Sequence, residues 1–339
     1  MASDPFNRSF SSFILVGVPG LEAFHTCLGV LFFCIYVLAM VGNGAVLLVL
    51  GLDKALQAPS HRFLAMLAVT DVVMATCVVP KMLAVLWLGS AEIGFVACFA
   101  QMFLVHSATA QESGVLLAMA VDRYVAVCHP LRYHSLLTGR ATVGVGVAAA
   151  LRAALAMAPL AALLAALPYC GPRAVPHSYC EHMAVGGLAC AAPGPARLYS
   201  VAWSSLTVGA DAALIAASYG LILRAVRGQR SCRKALSTCG CHLCVVLLFY
   251  VPGIVSIYAQ QFSGAVAVHT QVLLADLYLT VPAVLNPLVY SARSRQIRRA
   301  LLRALLPGRV CARGRRPWLS RHAHLGEGSP SCLPSESRR

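Results

Sequence analysis

Charged residues are scarce in this chain, at 12% of 339 residues. Soluble domains carry about 25%, so a soluble globular protein is excluded, and the 59% hydrophobic content must cover a lipid-facing surface as well as a core. Acids are scarcer still, 12 against 27 Lys and Arg, for a net charge of +15. In a soluble protein that balance suggests nucleic acid. Here about 12 of the basic residues follow Tyr290 and about five more lie from Arg224 to Lys234. That is the bias of loops on the inner side of a membrane, and no nucleic-acid partner is expected. The first 25 residues lack the basic start and short apolar core of a cleavable signal, so the first apolar segment is expected to act as signal anchor. There is no soluble domain. The absence of an internal repeat argues against a secondary transporter. The absence of Tyr-Asp and Gly-x-Gly-Asp motifs on apolar segments sets aside an intramembrane aspartyl protease, and no enzyme activity is expected.

Seven apolar stretches are present, at about Cys27–Leu50, Phe63–Trp87, Cys98–Val121, Ala141–Leu167, Tyr199–Val226, Leu236–Gln260 and Thr270–Tyr290. Each is near the ~20 residues that cross a bilayer as a helix, which predicts an all-α seven-helix membrane bundle. The fourth is mostly Ala, Val, Gly and Leu, residues that let helices approach closely in lipid. Basic and charge-poor connections alternate. The basic set is 51–62, 123–140 and 224–234. The other three hold only Arg173 and Arg197. The N-terminus is therefore expected outside and the C-terminus inside. The chain divides into an extracellular N-terminus (1–26), the bundle (27–290), an amphipathic membrane-surface helix (291–306) and a disordered basic tail (307–339). In the surface helix, Arg293, Arg295, Arg298, Arg299 and Arg303 alternate with Ile297, Leu301, Leu302, Leu305 and Leu306, a pattern suited to an anionic inner leaflet. Cys311 beyond it is a candidate for palmitoylation. Asn7-Arg8-Ser9 is a glycosylation sequon on the end expected outside.

Most of the 14 cysteines read as small buried residues. Cys98, Cys170, Cys180 and Cys190 fall on the outer, oxidising side, where thiols pair, and four allow three pairings. The run Cys239-Gly240-Cys241-His242-Leu243-Cys244 invites a metal reading. Side chains on a helix turn about 100° per residue, so these do not converge as tetrahedral zinc requires. Five acids, Asp71, Glu112, Asp122, Asp211 and Asp276, lie in or at the ends of apolar helices, where each needs a partner, water or an ion. Glu112 stands about 21 Å below Cys98 at helical rise, near mid-membrane, and so does Asp71. Two carboxylates at that depth share a proton or hold a cation.

The third stretch ends in Met119-Ala120-Val121-Asp122-Arg123-Tyr124-Val125-Ala126-Val127-Cys128-His129-Pro130-Leu131-Arg132-Tyr133. This run resembles the signature of olfactory receptors among the rhodopsin-like G-protein-coupled receptors, and its Val121 and Cys-His-Pro-Leu-Arg-Tyr resemble the class I branch. The likeness extends over about residues 10–306. It includes Lys234-Ala235-Leu236-Ser237-Thr238-Cys239, Ser218-Tyr219, Phe249-Tyr250-Val251-Pro252, Asn286-Pro287-Leu288-Val289-Tyr290, and the outer loop through His177-Ser178-Tyr179-Cys180-Glu181-His182.

The resemblance implies a receptor that binds a small volatile or semi-volatile odorant in the outer half of the bundle. It would activate a heterotrimeric G protein, of the stimulatory olfactory type that raises cyclic AMP, from the plasma membrane of olfactory cilia. It implies disulfides Cys98–Cys180 and Cys170–Cys190, and a structural sodium ion at Asp71 and Glu112 with Asn43 and Asn286 nearby. The inner switch would use Asp122, Arg123, Tyr124, Tyr219, Asn286, Pro287 and Tyr290, with proline kinks as hinges. The pocket would use His106 from the third helix, His182 and Met183 as a lid, Trp203 and Thr207 from the fifth, and Tyr250, Ser256, Ile257 and Gln261 from the sixth. Two stretches depart from the family. Many class I members carry His-Arg where this chain has Gln260-Gln261, so no cation is expected there for a carboxylate. A neutral ketone, alcohol, ester or lactone is then expected over a fatty acid. Ala58-Pro59-Ser60-His61-Arg62-Phe63 replaces the family's Pro-Met-Tyr entry to the second helix. A peptide receptor, expected to carry more outer-loop charge, a channel or transporter, and a receptor that no longer signals are the alternative readings.

Overall fold

A computed structural model describes residues 11–53, 56–170, 172–227, 232–261 and 266–305, with the side chains of 232–238, 261, 293, 295, 304 and 305 left out. Among the described residues ten α-helices follow in order. They are α1 (His25–Leu52), α2 (Pro59–Leu88), α3 (Phe95–Cys128), α4 (Tyr133–Leu136), α5 (Gly139–Ala165), α6 (His182–Gly186), α7 (Gly194–Val226), α8 (Cys232–Gln261), α9 (Val268–Arg293) and α10 (Arg295–Leu305). Six of them, α1, α2, α5, α7, α8 and α9, are long and apolar enough to cross a bilayer, and α3 with the sharply bent segment after it makes a seventh. Leu31, Leu38, Val41, Leu155 and Leu206 are among the apolar side chains left exposed on these helices, as a lipid-facing surface requires.

The middle of the bundle is α3, which packs against α2, α5, α7 and α8. Small residues bring α5 close, as the composition of the fourth stretch predicts. A Cβ on Gly146 would stand 2.5 Å from the Met66 sulfur, and one on Gly114 would stand 3.0 Å from Ala149 Cβ. Proline breaks the ladder inside α2 (Pro80), α5 (Pro159), α8 (Pro252) and α9 (Pro282, Pro287).

The cap at one end of the bundle is not legible in composition. Strand β1 (Ser12–Leu15) lies in the segment read as the extracellular N-terminus. It pairs antiparallel with β2 (Glu92–Gly94) and parallel with β3 (Ala174–Val175), in the order β2-β1-β3. Alternation turns Phe13 and Leu15 inward, at 0% and 1% exposure. Phe13 meets the rings of Phe95, Phe99 and Tyr169. Beneath them Cys98 is bonded to Cys180, with Cα atoms 5.4 Å apart, and Cys170 to Cys190, at 5.6 Å. Gly89, at φ +60°, closes α2 and turns the chain into β2, in a left-handed conformation that glycine adopts without strain.

At the opposite end α10 is bound to the protein itself. Ile297 and Ala300 are buried with Val46, Val49, Leu50 and Leu64. Arg298, Arg299 and Arg303 face outward, and Arg303 Nη1 comes within 3.9 Å of Asp53. Asn7, Cys311 and the tail from 307 lie outside the described residues.

Candidate ligand cavity and inner switch

A cavity of about 130 Å³ opens between α3, α5, α7, α8 and α9, beneath the loop that follows Cys180. Of the residues the sequence nominates, His106, His182, Trp203, Thr207, Ser256 and Ile257 line it. Three do not. Met183 is one position past His182 on α6, about 100° further round the helix. Tyr250 lies deeper, in the core with Leu116, Ile215 and Phe249. The side chain of Gln261 lies outside the described residues, and the neighbouring Gln260 faces the cavity.

The lid is held from several sides. Gln101 accepts the Cys180 backbone N–H at 3.0 Å and donates to the Cys77 carbonyl at 2.7 Å, tying the loop to α2 and α3. Ser178 Oγ donates to Asp276 of α9 at 2.5 Å. Glu181 caps α6 by accepting the Ala184 N–H at 2.8 Å, and its other oxygen pairs with His182 Nδ1 at 2.5 Å. Burial alone would raise the Glu181 carboxyl, but His182, His177 and His106 outweigh it and bring it to about 2. Burial pushes the His177 imidazole down to about 4, against the pull of Glu181. Ligand atoms of His106, Glu181 and His182 all lie within 4.8 Å of one another. Tetrahedral zinc asks for edges of roughly 3.4 Å, and Glu181 and His182 already contact each other directly.

The floor holds a pair that sequence reasoning missed. Arg152 of α5 grips Asp211 of α7 with two parallel bonds, Nη1 to Oδ1 at 2.8 Å and Nη2 to Oδ2 at 2.7 Å. Ser113 Oγ of α3 also donates to Asp211, at 2.6 Å, and lies 2.9 Å from the Tyr250 hydroxyl of α8. Four helices thus meet in one polar chain below the cavity. Gly114 makes room, since a Cβ there would stand 3.1 Å from Arg152 Nη2. Asp211 signalled that a partner was needed. Nothing local said that Arg152, 59 positions away, would be that partner.

Deeper, Asp71, Glu112 and Asn286 converge. Asn286 Nδ2 reaches both Asp71 oxygens, at 3.2 and 3.1 Å, and Glu112 Oε1 at 3.4 Å. Asn286 Oδ1 is buried with no hydrogen-bond partner. Asn43, expected nearby, donates instead to the backbone carbonyls of Ala39 and Ala283.

A second cavity, of about 620 Å³, opens at the other end and is lined by His61, Met119, Arg123, His242, Tyr290 and Ile297 among others. Arg123 Nη2 stands 3.4 Å from Asp122 Oδ2, and Tyr133 donates to Asp122 Oδ1 at 2.8 Å. Tyr219 meets His242 Nδ1 at 2.6 Å, and Tyr124 meets His129 at 3.3 Å. Tyr290 reaches the Met119 sulfur at 3.9 Å, and Pro287 packs against Gly42 of α1. The atypical His61 of the second-helix entry lies in this same wall.

The profile of the olfactory receptor family matches residues 32–307. The chain is similar to olfactory receptor 52I2 of Homo sapiens, 49% identical over 292 residues, which are 85% of this chain and 83% of that receptor. It is similar to olfactory receptor 52I1 of Homo sapiens, 48% identical over 85% of this chain and 90% of the relative. With olfactory receptor 52D1 of Homo sapiens it shares 45% identity over 90% of this chain and 97% of the relative.

Proposed function

This chain belongs to the olfactory receptor family, in its class I branch, and from that premise we propose that it detects a small neutral odorant and signals through the stimulatory olfactory G protein, raising cyclic AMP. It is a multi-pass plasma-membrane receptor with a small-molecule ligand and a G-protein partner, and not an enzyme. Cilia of sensory neurons are its proposed place. The N-terminus faces outward, carrying a glycan on Asn7, and α10 lies along the inner leaflet.

The observation that carries the ligand reading is Trp203. It lines the cavity, and its buried indole N–H has no acceptor among the described residues. Indole is a donor only, so a ligand oxygen there satisfies a group that is costly to leave unpaired. The remaining wall is mainly apolar with a few polar groups, including Thr207, Ser256 and Gln260. A ketone, ester, lactone or alcohol suits this arrangement. Cavities of about 150 Å³ accept a benzene-sized molecule, which sets the scale of the ligand. His106 and His182 line one side of the cavity in edge-to-face contact, ring centroids 4.8 Å apart, and orient the ligand.

Signal transfer rests on elements already in place. The ligand bears on the Arg152–Asp211–Ser113–Tyr250 chain at the cavity floor. Tyr250 is two residues to the inner side of Pro252, so its displacement swings the inner half of α8 about that kink. Separation at the inner end lets Arg123 leave Asp122 and receive a G-protein helix, with Tyr124, Tyr219 and Tyr290 around it. A sodium ion between Asp71 and Glu112 would hold the resting state. Two carboxylates and the unpartnered Asn286 oxygen supply the oxygen donors that such a cation prefers.

The test is cyclic AMP in cells co-expressing the olfactory G protein, over a panel of neutral and acidic odorants, with Arg123→Ala as control. A response to a neutral odorant that Arg123→Ala abolishes at equal surface level is expected. A carboxylic acid as the strongest agonist would overturn the ligand class. Equal responses from receptor and control would overturn the switch.

A further inference from the structure

The Arg152–Asp211 pair belongs to the cavity wall as well as to the helix contacts beneath it. Both residues line the cavity. Asp211 is 2% exposed, whereas the Arg152 side chain is 34% exposed. An arginine at the floor of a small apolar cavity is a ready receptor for a carboxylate, because its fork matches two oxygens at once. In this chain both prongs are already occupied, by Asp211 Oδ1 and Oδ2. The acid itself is further held by Ser113, so a ligand carboxylate would have to displace a three-membered arrangement. The other carboxylate in the wall, Glu181, likewise already has a partner, His182 Nδ1.

We propose that Asp211 is an internal counter-ion that sets ligand selectivity: by occupying both prongs of Arg152 with a carboxylate of the protein's own, it bars acids from the cavity and leaves it for neutral molecules. The inference deepens the reading of the cavity as the odorant site and rests on that reading. Selectivity then follows the net charge of the pair. Removing the anion leaves a free guanidinium, which recognises carboxylates. Removing the cation leaves a buried carboxylate, which recognises ammonium groups. Removing both restores preference for neutral ligands.

The experiment uses the full-length receptor in lipid nanodiscs, with hexan-1-ol, hexanoate and hexylammonium as probes of equal chain length, read by ligand-induced thermal stabilisation at neutral pH. Wild type, Asp211→Asn, Arg152→Gln and the double variant are compared. For the wild type, hexanoate is expected to bind at least about tenfold more weakly than hexan-1-ol. Asp211→Asn is expected to gain hexanoate affinity by about tenfold to a hundredfold, the range of one charge-assisted bidentate contact. Arg152→Gln should gain hexylammonium instead, and the double variant neither. Wild type binding hexanoate as tightly as the alcohol overturns the proposal, whether or not any variant folds. So does a folded Asp211→Asn that gains no hexanoate, or a folded Arg152→Gln that gains no hexylammonium. The direct binding readout separates this from the signalling proposal. Charge-following selectivity without any cyclic AMP response would sink the coupling and leave the counter-ion standing. A neutral-odorant response with no shift in the variants would do the reverse.

Discussion

Asn43 donates its side-chain amide to the carbonyl oxygen of Ala283 at 2.7 Å, and that carbonyl is the one Pro287 leaves without a helical partner. Proline at position 287 has no N–H to return to the residue four before it. In lipid an orphaned carbonyl costs several kcal/mol, so α1 supplies the donor that α9 cannot. The two helices come close enough because position 42 is glycine. A Cβ there would stand 2.9 Å from Pro287 Cγ. The Asn43→Ala receptor should lose about 1–3 kcal/mol, and Gly42→Val should lose stability by prying α1 from α9. Thermal unfolding of both in nanodiscs checks this, and an unchanged midpoint for Asn43→Ala would count against the pairing.

The outer strand makes a second prediction. Phe13 is fully buried among Phe95, Phe99 and Tyr169. Phe13→Ala should cost about 3–5 kcal/mol, the range for truncating a buried phenylalanine, and should lower surface expression. Ile14→Ala, on the exposed side of the same strand, should cost little. Similar losses from both would mean the strand is not seated as described.

Acid should loosen the lid through His177. Its folded-state value of about 4 lies below the 6.5 of a free imidazole, so the folded state resists a proton that the unfolded chain accepts. Its contribution is complete above pH 6.5 and falls as pH drops toward 4, by roughly 3 kcal/mol in all. Glu181 adds a further loss below its ordinary range as pH falls toward 2. Melting temperature followed from pH 7.5 to 4.5 should decline, and His177→Asn should flatten the decline. An equally steep fall in that variant would place the sensitivity elsewhere.

Coupling from cavity to inner end should depend on the Tyr250 hydroxyl. Tyr250→Phe keeps the ring in its core but removes the contact with Ser113. Agonist affinity should change little while maximal cyclic AMP falls several-fold. Loss of affinity with an intact maximum would show that the hydroxyl serves binding.

Sodium supplies the last prediction. Replacing sodium by a bulky organic cation should raise basal signalling of the wild type, and Asp71→Asn should abolish that dependence. Basal signalling of the wild type that ignores sodium would remove the ion from the mid-bundle site.

The sequence by itself determined the seven-helix plan, because crossing a bilayer is set by the length and apolarity of each local run and needs no distant partner. The same holds for the Asp122-Arg123-Tyr124 motif, which is contiguous. It also flagged the five acids of the apolar helices, since an ionisable group there stands out wherever it falls, but not Glu181, which the outer loop buries. Only the tertiary structure decided which partner each acid has. Asp71 meets Asn286 across 215 positions and Asp211 meets Arg152 across 59, and no local pattern encodes such distances. Cavity lining was decided there too. One residue turns a helix face by about 100°, so Gln260 faces inward and Met183 misses the wall on rotations that follow from how neighbouring helices pack. The strand at 12–15 was hidden for a related reason: its residues gain their partners only when β2, 78 to 82 positions later, and β3, 160 positions later, are brought alongside by the bundle.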